Sequence, residues 1–195
     1  MKNGLLVVIS SPSGGGKDSV INALLKILPN SVRFITTTSR PPRPGNKNGV
    51  DYFFISKEQF EEGIKMEEFL EYNVYSENYY GTEKKRLAAA LEKYDLAFTQ
   101  IEVNGKHNLD KVGVPHLSIY LLPESLDILR KRIERRGGLT STQIDDRLRI
   151  AKEEIEKSAD YDYRIVNKEG KLEETVIEIA KIIRDYCALD KKADI

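Results

Sequence analysis

The sequence predicts an α/β protein: a parallel sheet with helices on both faces, interrupted by an insertion that carries a small sheet of its own. Three observations predict it. Short apolar runs rich in β-branched residues, "LLVVIS" above all, alternate with segments of helical periodicity, the pattern of strands joined by helical crossovers. A glycine-rich break, "SPSGGG", follows the first run and opens a helix. The stretch from about 33 to 88 has another texture, with Pro- and Gly-containing turns between strand-like segments.

Taken in order, "LLVVIS" suits a strand buried on both faces. "DSVINALLKIL" places apolar residues at 20, 21, 24, 25 and 28, a helical spacing that Pro29 ends. Within the insertion, "RFITTTSR" and "VDYFFIS" are expected as strands joined by "PPRPGNKNG". "KEQFEEGIKMEEFLEY" is expected as one helix or two short ones, and "NYYGTEKKRLAAALEKY" as a turn running into a helix. "DLAFTQIEV" and "PHLSIYLL" are strand candidates on either side of the weakly helical "NGKHNLDKV". After Pro123 comes "ESLDILRKRIERR", an amphipathic basic helix; "GGLTST" breaks it and "QIDDRLRIAKEEIEKSA" is helical again. "YDYRIVN" gives a last strand and "KLEETVIEIAKIIRDYCAL" a last helix.

The bulk numbers narrow the function. A chain of 195 residues suits one domain with small subdomains, and 40% hydrophobic with 32% charged residues is ordinary for a globular protein. Lys plus Arg equals Asp plus Glu at 31 each, so no overall field draws nucleic acid or membrane, and phosphate chemistry must come from local clusters. Cys187 is the only cysteine, which excludes an internal disulfide and any multi-cysteine zinc site and points to the cytoplasm. It reads as a small apolar side chain near the terminus. His107 and His116 stand at no metal-ligand spacing and are expected on surface turns. No apolar run reaches the length of a membrane span, and "MKNGLLVVIS" is too short and too weakly basic for a signal peptide. No repeat or low-complexity tract occurs.

"SPSGGGKDSV" is a phosphate-binding loop with two positions changed. The pattern G-x-x-x-x-G-K-[ST] would place Gly at position 11 and Ser or Thr at position 18; here they are Ser11 and Asp18. A strand, a glycine turn and a helix start make a cradle of backbone N–H groups, reinforced by the helix dipole. Gly14, Gly15 and Gly16 let backbone approach phosphate, and Lys17 reaches the β- and γ-phosphates. The hydroxyl that Asp18 replaces ordinarily ligates Mg²⁺. A carboxylate is also a Mg²⁺ ligand, though longer and charged, and it also complements a helix N-terminus.

The substrate is named by the insertion. "TTTSRPPRPGNKNGVDYFF", followed by "EFLEYNVYSENYYGT", closely resembles the guanylate kinase family, and the likeness continues through "LRKRIERRG", "DDRL" and "YDYRIVN" over nearly the whole chain. Alone, "SRPPRPG" also reads as a polyproline segment for a partner and "NYYG" as an aromatic turn. The resemblance implies a single domain over 1–195, a three-layer P-loop kinase with a parallel core sheet, a nucleotide-binding insertion bearing a small mixed sheet, and a helical lid. The core is expected at about 1–33, 89–124 and 148–195, the insertion at about 34–88 and the lid at about 125–147.

The resemblance further implies a reaction and its residues: transfer of the γ-phosphate of ATP to GMP with Mg²⁺. Arg40, Arg43, Tyr52 and Tyr80 match the residues that grip the GMP phosphate, and Arg forks with Tyr hydroxyls suit that task. Glu71, Thr36, Thr82 and Glu102 match positions at the guanine end. A carboxylate suits guanine, whose N1–H and 2-amino group are adjacent donors that adenine lacks. Ser13, Gly14, Gly15, Gly16, Lys17, Asp18 and Ser19 match the ATP loop, and Asn167 a position near the adenine. Arg132, Arg136 and Arg147 match lid arginines that close over the ATP phosphates; Arg132 and Arg136 are four apart on one helical face. Arg130, Lys131 and Arg135 read as a solvated basic surface.

A second departure lies at "QIEVNG". Where the family has D-I-D-x-Q-G, Glu102 keeps the second acid and Gln100 loses the first, which the family directs toward metal and phosphates. One negative charge is missing there and one has appeared at Asp18. Three readings stay open: Asp18 supplies the carboxylate that Gln100 no longer does; the pair marks a binding module without catalysis; or the acceptor has shifted to another nucleotide or a ribose phosphate.

Overall fold

The computed structural model describes residues 4–75 and 77–193; the first three residues of "MKNGLLVVIS" and Ser76 of the insertion lie outside them. Along the chain run β1 (Leu5–Ser10), α1 (Lys17–Ile27), β2 (Ser31–Arg33), β3 (Thr37–Thr38), β4 (Phe53–Phe54), α2 (Lys57–Lys65), β5 (Phe69–Tyr75) and β6 (Asn78–Glu83). They are followed by α3 (Lys84–Lys93), β7 (Leu96–Thr99), α4 (Val103–Lys111), β8 (Leu117–Pro123), α5 (Leu126–Arg136), α6 (Ser141–Lys157), β9 (Tyr163–Asn167) and α7 (Leu172–Ala193). The strands form a five-stranded parallel sheet in the order β2-β7-β1-β8-β9 and a four-stranded mixed sheet in the order β4-β3-β6-β5. The chain divides into two compact units, residues 1–7 with 30–116 and residues 8–29 with 117–195.

The apolar runs behave as expected. Val7, Val8 and Ile9 of β1, Ala97 and Phe98 of β7 and Ile119, Tyr120 and Leu121 of β8 have no exposed surface. At the edge of the five-stranded sheet β9 alternates, with Tyr163, Arg164 and Val166 exposed and Ile165 and Asn167 buried. The β8–β9 register is pinned at its start by Asp162, whose Oδ2 accepts from the Ser118 amide (2.8 Å) and hydroxyl (2.6 Å).

In the second unit, α5 and α6 bury Leu129 and Ile133 against Ile144 and Ala151, with Leu139 and Leu148 packed alongside. Local chemistry sets their ends. Ser125 caps α5 by accepting from the Ile128 amide, Gly137 ends it at φ 71°, and Thr140 with Gln143 forms a capping box on α6.

The first unit departs from expectation in the insertion. "RFITTTSR" is split: β2 pairs in parallel with β7, whereas β3 belongs to the small sheet. "VDYFFIS" contributes only the two residues of β4, parallel to β3 rather than hairpinned with it. The helix expected over 57–72 stops at Lys65, and "FLEYNVY" is β5, antiparallel to β6. "NYYGTE" is therefore a strand, not a turn. Packing overrides helix propensity here. Phe60 of α2 is fully buried, its ring 4.1 Å from Phe69 and 5.1 Å from Tyr79, both stacked. Gly81 makes room, since a Cβ there would stand 2.9 Å from both Phe60 and Phe69.

The histidines also differ from expectation. His107 lies within α4, and the His116 side chain is only 5% exposed, its Nδ1 2.7 Å from the Val114 carbonyl and its Nε2 3.5 Å from Asp110. Cys187 is half-buried on α7.

Because the stacked ring of Phe60 joins α2 to both long strands of the small sheet, Phe60→Ala should cost about 3–5 kcal/mol of stability. Urea denaturation of the variant against the parent measures it.

Candidate active site

In the first unit, β5 and β6 build the back of a cavity of about 180 Å³. Successive side chains of a strand alternate in direction, so Glu71, Asn73 and Tyr75 share the face of β5 that lines the cavity. Opposite them in register lie Thr82, Tyr80 and Asn78. Thr36, Tyr52, Gln100, Ile101 and Glu102 complete much of the wall.

At the buried end Glu71 is 6% exposed and accepts a 2.7 Å bond from the Thr82 hydroxyl. Its other oxygen faces Gly105, where an added Cβ would lie 3.6 Å away. Burial pushes the Glu71 carboxyl up to about 7, against the opposing pull of the Thr82 hydroxyl. Thr36 is 9% exposed beside it. Glu102 stands at the N-terminus of α4 with its side chain exposed, and Gln100 places its Oε1 in the interior with no hydrogen-bond partner among the described residues.

At the other end the loop between β3 and β4 carries the two arginines. Asn46 Oδ1 accepts from Arg40 Nη2 (3.1 Å) and from the Arg43 amide (3.0 Å), so one side chain folds both into the same turn. The Arg40 guanidinium lies 5.6 Å from the Tyr52 ring, and Tyr52 meets Tyr80 edge-on at 5.9 Å. Arg40 thus lies against Tyr52, which lines the cavity together with Tyr80, while the Arg43 side chain is exposed on the loop.

In the second unit, the phosphate loop leaves β1 and enters α1 through Gly16, at φ 96°. Gly14 has φ 91°, and a Cβ on it would meet Leu129 and Ile133 at 3.2 and 3.1 Å, so the loop is packed on the apolar face of α5. Ser11 replaces the expected glycine without strain, since it is not among the residues at positive φ. Its hydroxyl fills the space where a Gly15 side chain would be, at 2.4 Å, and donates to the Pro12 carbonyl. Lys17 Nζ donates to the Ser11 carbonyl at 2.7 Å, folded over its own loop. Asp18 and Ser19 are exposed in the first turn of α1.

A second cavity, of about 240 Å³, is walled by Gly14, Gly16, Ser19, Arg132, Arg136 and Asn167. Arg147 of α6 donates to the Ser13 hydroxyl at 3.1 Å. Of the residues expected around ATP, Gly14, Gly16, Ser19, Arg132, Arg136 and Asn167 thus share one cavity, whereas Lys17 and Asp18 are not on its wall. Arg135 is solvated, as expected, and also borders this cavity, where it pairs with Glu169 at 2.9 Å. Arg132 pairs with the same carboxylate at 2.7 Å, and these two guanidiniums hold Glu169 below the usual carboxylate range. Arg130 pairs instead with Asp145, joining α5 to α6.

Sequence reading missed Asn46, Asn73, Tyr75, Arg135 and Glu169. Asn73 and Tyr75 follow Glu71 at intervals of two, a signal that a helical reading of "EFLEY" hides.

A phosphate loop on a parallel sheet, with an arginine-bearing helix packed on it, makes this chain a nucleotide-binding P-loop kinase. The family model described as "Guanylate kinase" matches residues 3–186. The guanylate kinase of Clostridioides difficile is 42% identical over 178 residues, 91% of this chain and 87% of its own length. That of Halalkalibacterium halodurans is 38% identical over 190 residues, 97% of this chain and 93% of its own. The crystal structure of guanylate kinase from Anaplasma phagocytophilum superposes with a TM-score of 0.75 at 30% identity, covering 95% of this chain and 87% of the other. The chain belongs to the guanylate kinase family.

Between the ordinary value of 4.5 and about 7, folded Glu71 keeps a proton that the unfolded chain has released. Stability of the ligand-free protein should therefore fall as pH rises through this window. Glu71→Gln should flatten that fall and stabilise the ligand-free protein at about pH 8 by up to about 3 kcal/mol. Urea titrations at intervals from about pH 5 to 8 measure both.

Proposed function

We propose that the protein transfers the γ-phosphoryl group of ATP to GMP, giving ADP and GDP, in the cytoplasm where both are supplied. The observation that carries this is the buried Glu71 carboxylate held by the Thr82 hydroxyl at the back of the first cavity. Ionised, it offers two acceptors to a base whose N1–H and 2-amino groups are neighbouring donors, which selects guanine over adenine. Thr36 and Glu102 stand near as further polar groups for that base. Arg40, Tyr52 and Tyr80, with Arg43 on the same loop, are assigned to the acceptor phosphate. Residues 34–88 serve as the acceptor-binding insertion.

The donor is assigned to the second cavity, with its phosphates on the amides of Ser13, Gly14, Gly15 and Gly16 and on Lys17. Arg132, Arg136 and Arg147, within a lid of about 125–147, supply the positive charge that the transferring group needs as it leaves ADP. Lys17 exchanges the Ser11 carbonyl for phosphate oxygen. A GMP phosphate oxygen is already anionic near neutral pH, so the attack in line on the γ-phosphorus calls for no general base. Positioning and charge neutralisation carry the catalysis.

The residues present suit Mg²⁺. Asp18 and Ser19 are exposed hard oxygen donors beside the loop, and no cluster of three or more His, Cys, Asp or Glu among the described residues could hold a metal on its own. Mg²⁺ takes one or two carboxylates together with substrate phosphates and water, so Asp18 would hold it as it arrives with ATP. Bound there, it neutralises charge on the phosphates. Asp18→Asn should therefore raise the Mg²⁺ concentration needed for half-maximal rate.

ADP release measured with ATP, Mg²⁺ and each nucleoside monophosphate tests the reading, with turnover expected for GMP. GMP binding without turnover would make the chain a binding module, and turnover only with another acceptor would move the substrate. Lys17→Ala should lower kcat by about 100-fold or more. In the parent, kcat/KM for GMP should fall as pH drops below about 7, where Glu71 gains its proton. Glu71→Gln should lose that inflection and about 100-fold in kcat/KM.

A further inference from the structure

We propose that Asn167 and Thr175 are positioning residues for the phosphate loop, Asn167 orienting it and Thr175 fixing the Asn167 amide, rather than contacts to the donor's base. Asn167 ends β9 and is 6% exposed. Its Nδ2 donates to the Gly15 carbonyl at 2.8 Å, and its Oδ1 accepts from the hydroxyl of Thr175 on α7 at 3.2 Å. Its backbone carbonyl accepts from Arg132 Nη2 at 2.9 Å. One residue thus ties together the loop, the last helix and the arginine helix.

The consequence for the loop follows from peptide geometry. In a trans peptide the C=O and the following N–H point in opposite directions. Holding the Gly15 carbonyl on Asn167 therefore aims the Gly16 N–H away from Asn167. The fit is close, since a Cβ on Gly16 would stand 2.6 Å from Asn167 Nδ2. An amide can do this only the right way round, because its oxygen turned toward the Gly15 carbonyl would repel it. The acceptor-only Gly15 carbonyl sets the orientation, and Thr175, 3% exposed, holds it by donating its hydroxyl proton to Oδ1. Its alternative acceptor is the Lys171 carbonyl at 3.3 Å. With one N–H and one lone pair of its amide engaged within the fold and only 6% of the residue exposed, Asn167 serves the loop rather than a base.

The proposal rests on the donor-site reading, and the test separates the two. Titration calorimetry of ADP is compared for the parent, Thr175→Val and Thr175→Ser, with KM values measured in turnover. Thr175→Val should weaken ADP binding and raise the KM for ATP by roughly tenfold. GTP as donor should suffer by the same factor, the KM for GMP should stay within about twofold, and Thr175→Ser should restore parent behaviour. Thr175→Ala is read in the same way if the valine variant folds poorly. An altered ATP-to-GTP preference would make Asn167 a base contact and overturn the proposal. Unchanged ADP binding would overturn it too, as would equal losses for both substrates in step with a lowered melting temperature. A parent protein that bound no ADP would defeat the donor-site reading itself.

Discussion

The constraint on which the second unit depends is that a phosphate cradle has to be made of backbone, with nothing attached to it. Gly14 and Gly16 both sit at positive φ, where an L side chain is strained, and each is crowded on the side where a Cβ would project. The crowding is informative because its sources differ. Leu129 and Ile133 of α5 close on Gly14, whereas the Asn167 amide closes on Gly16. The loop is held from two sides by elements far away in sequence, and its shape belongs to the unit as a whole. This also explains why Ser11 is tolerated. The glycine that matters beside it is Gly15, whose missing side chain gives the Ser11 hydroxyl its place.

The first cavity shows the opposite economy. Its central group, Glu71, is an ionisable carboxyl kept in a buried site where ionisation is disfavoured. The Thr82 hydroxyl relieves part of that penalty, and the remainder is left for a ligand with donors to supply. In the proposed acceptor site, a base that lacks the donor pair would leave the carboxylate with the Thr82 hydroxyl but without the donors it still needs. On that proposal, stability is given up so that selectivity is available. The buried Gln100 Oε1, also without a partner among the described residues, lines the same cavity and adds to its unmet acceptor capacity.

How much could be read in advance depends on how each segment is buried. β1, β7 and β8 were legible because burial on both faces writes itself as a continuous apolar run. The phosphate loop was legible because glycine, lysine and spacing are its chemistry. The small sheet was not. "KMEEFLEY" is rich in Glu, Lys, Leu and Met, all good helix formers, and only the buried Phe60 ring and Gly81 turn its second half into a strand. That error of element type hid Asn73 and Tyr75. Glu71 was found by family likeness, but its neighbours on the same face follow only from a period of two. Glu169 was illegible for another reason: an exposed acid in a turn acquires meaning only when the fold sets Arg132 and Arg135 beside it.

The pairing of Glu169 with two arginines bears on how a site built for anions exists without them. The α5 helix carries Arg130, Lys131, Arg132, Arg135 and Arg136 within its 11 residues, a density of like charge that repels itself. Arg130 is balanced by Asp145 and Glu134, and Arg132 and Arg135 by Glu169. The Arg130 and Arg135 pairs lie in solvent and contribute little to stability, whereas Arg132 is 10% exposed and also bonds the Asn167 carbonyl. The weakness of the Arg135 pair suits it to exchange. In the proposed donor site, a phosphate group with several charged oxygens and a bidentate geometry would take over the exposed Arg135 guanidinium from Glu169 at small cost. Asn167 is held differently, with both ends of its buried amide bonded to Gly15 and Thr175. The cavity therefore joins a fixed part, which shapes the cradle, to an exchangeable part, which supplies its charge.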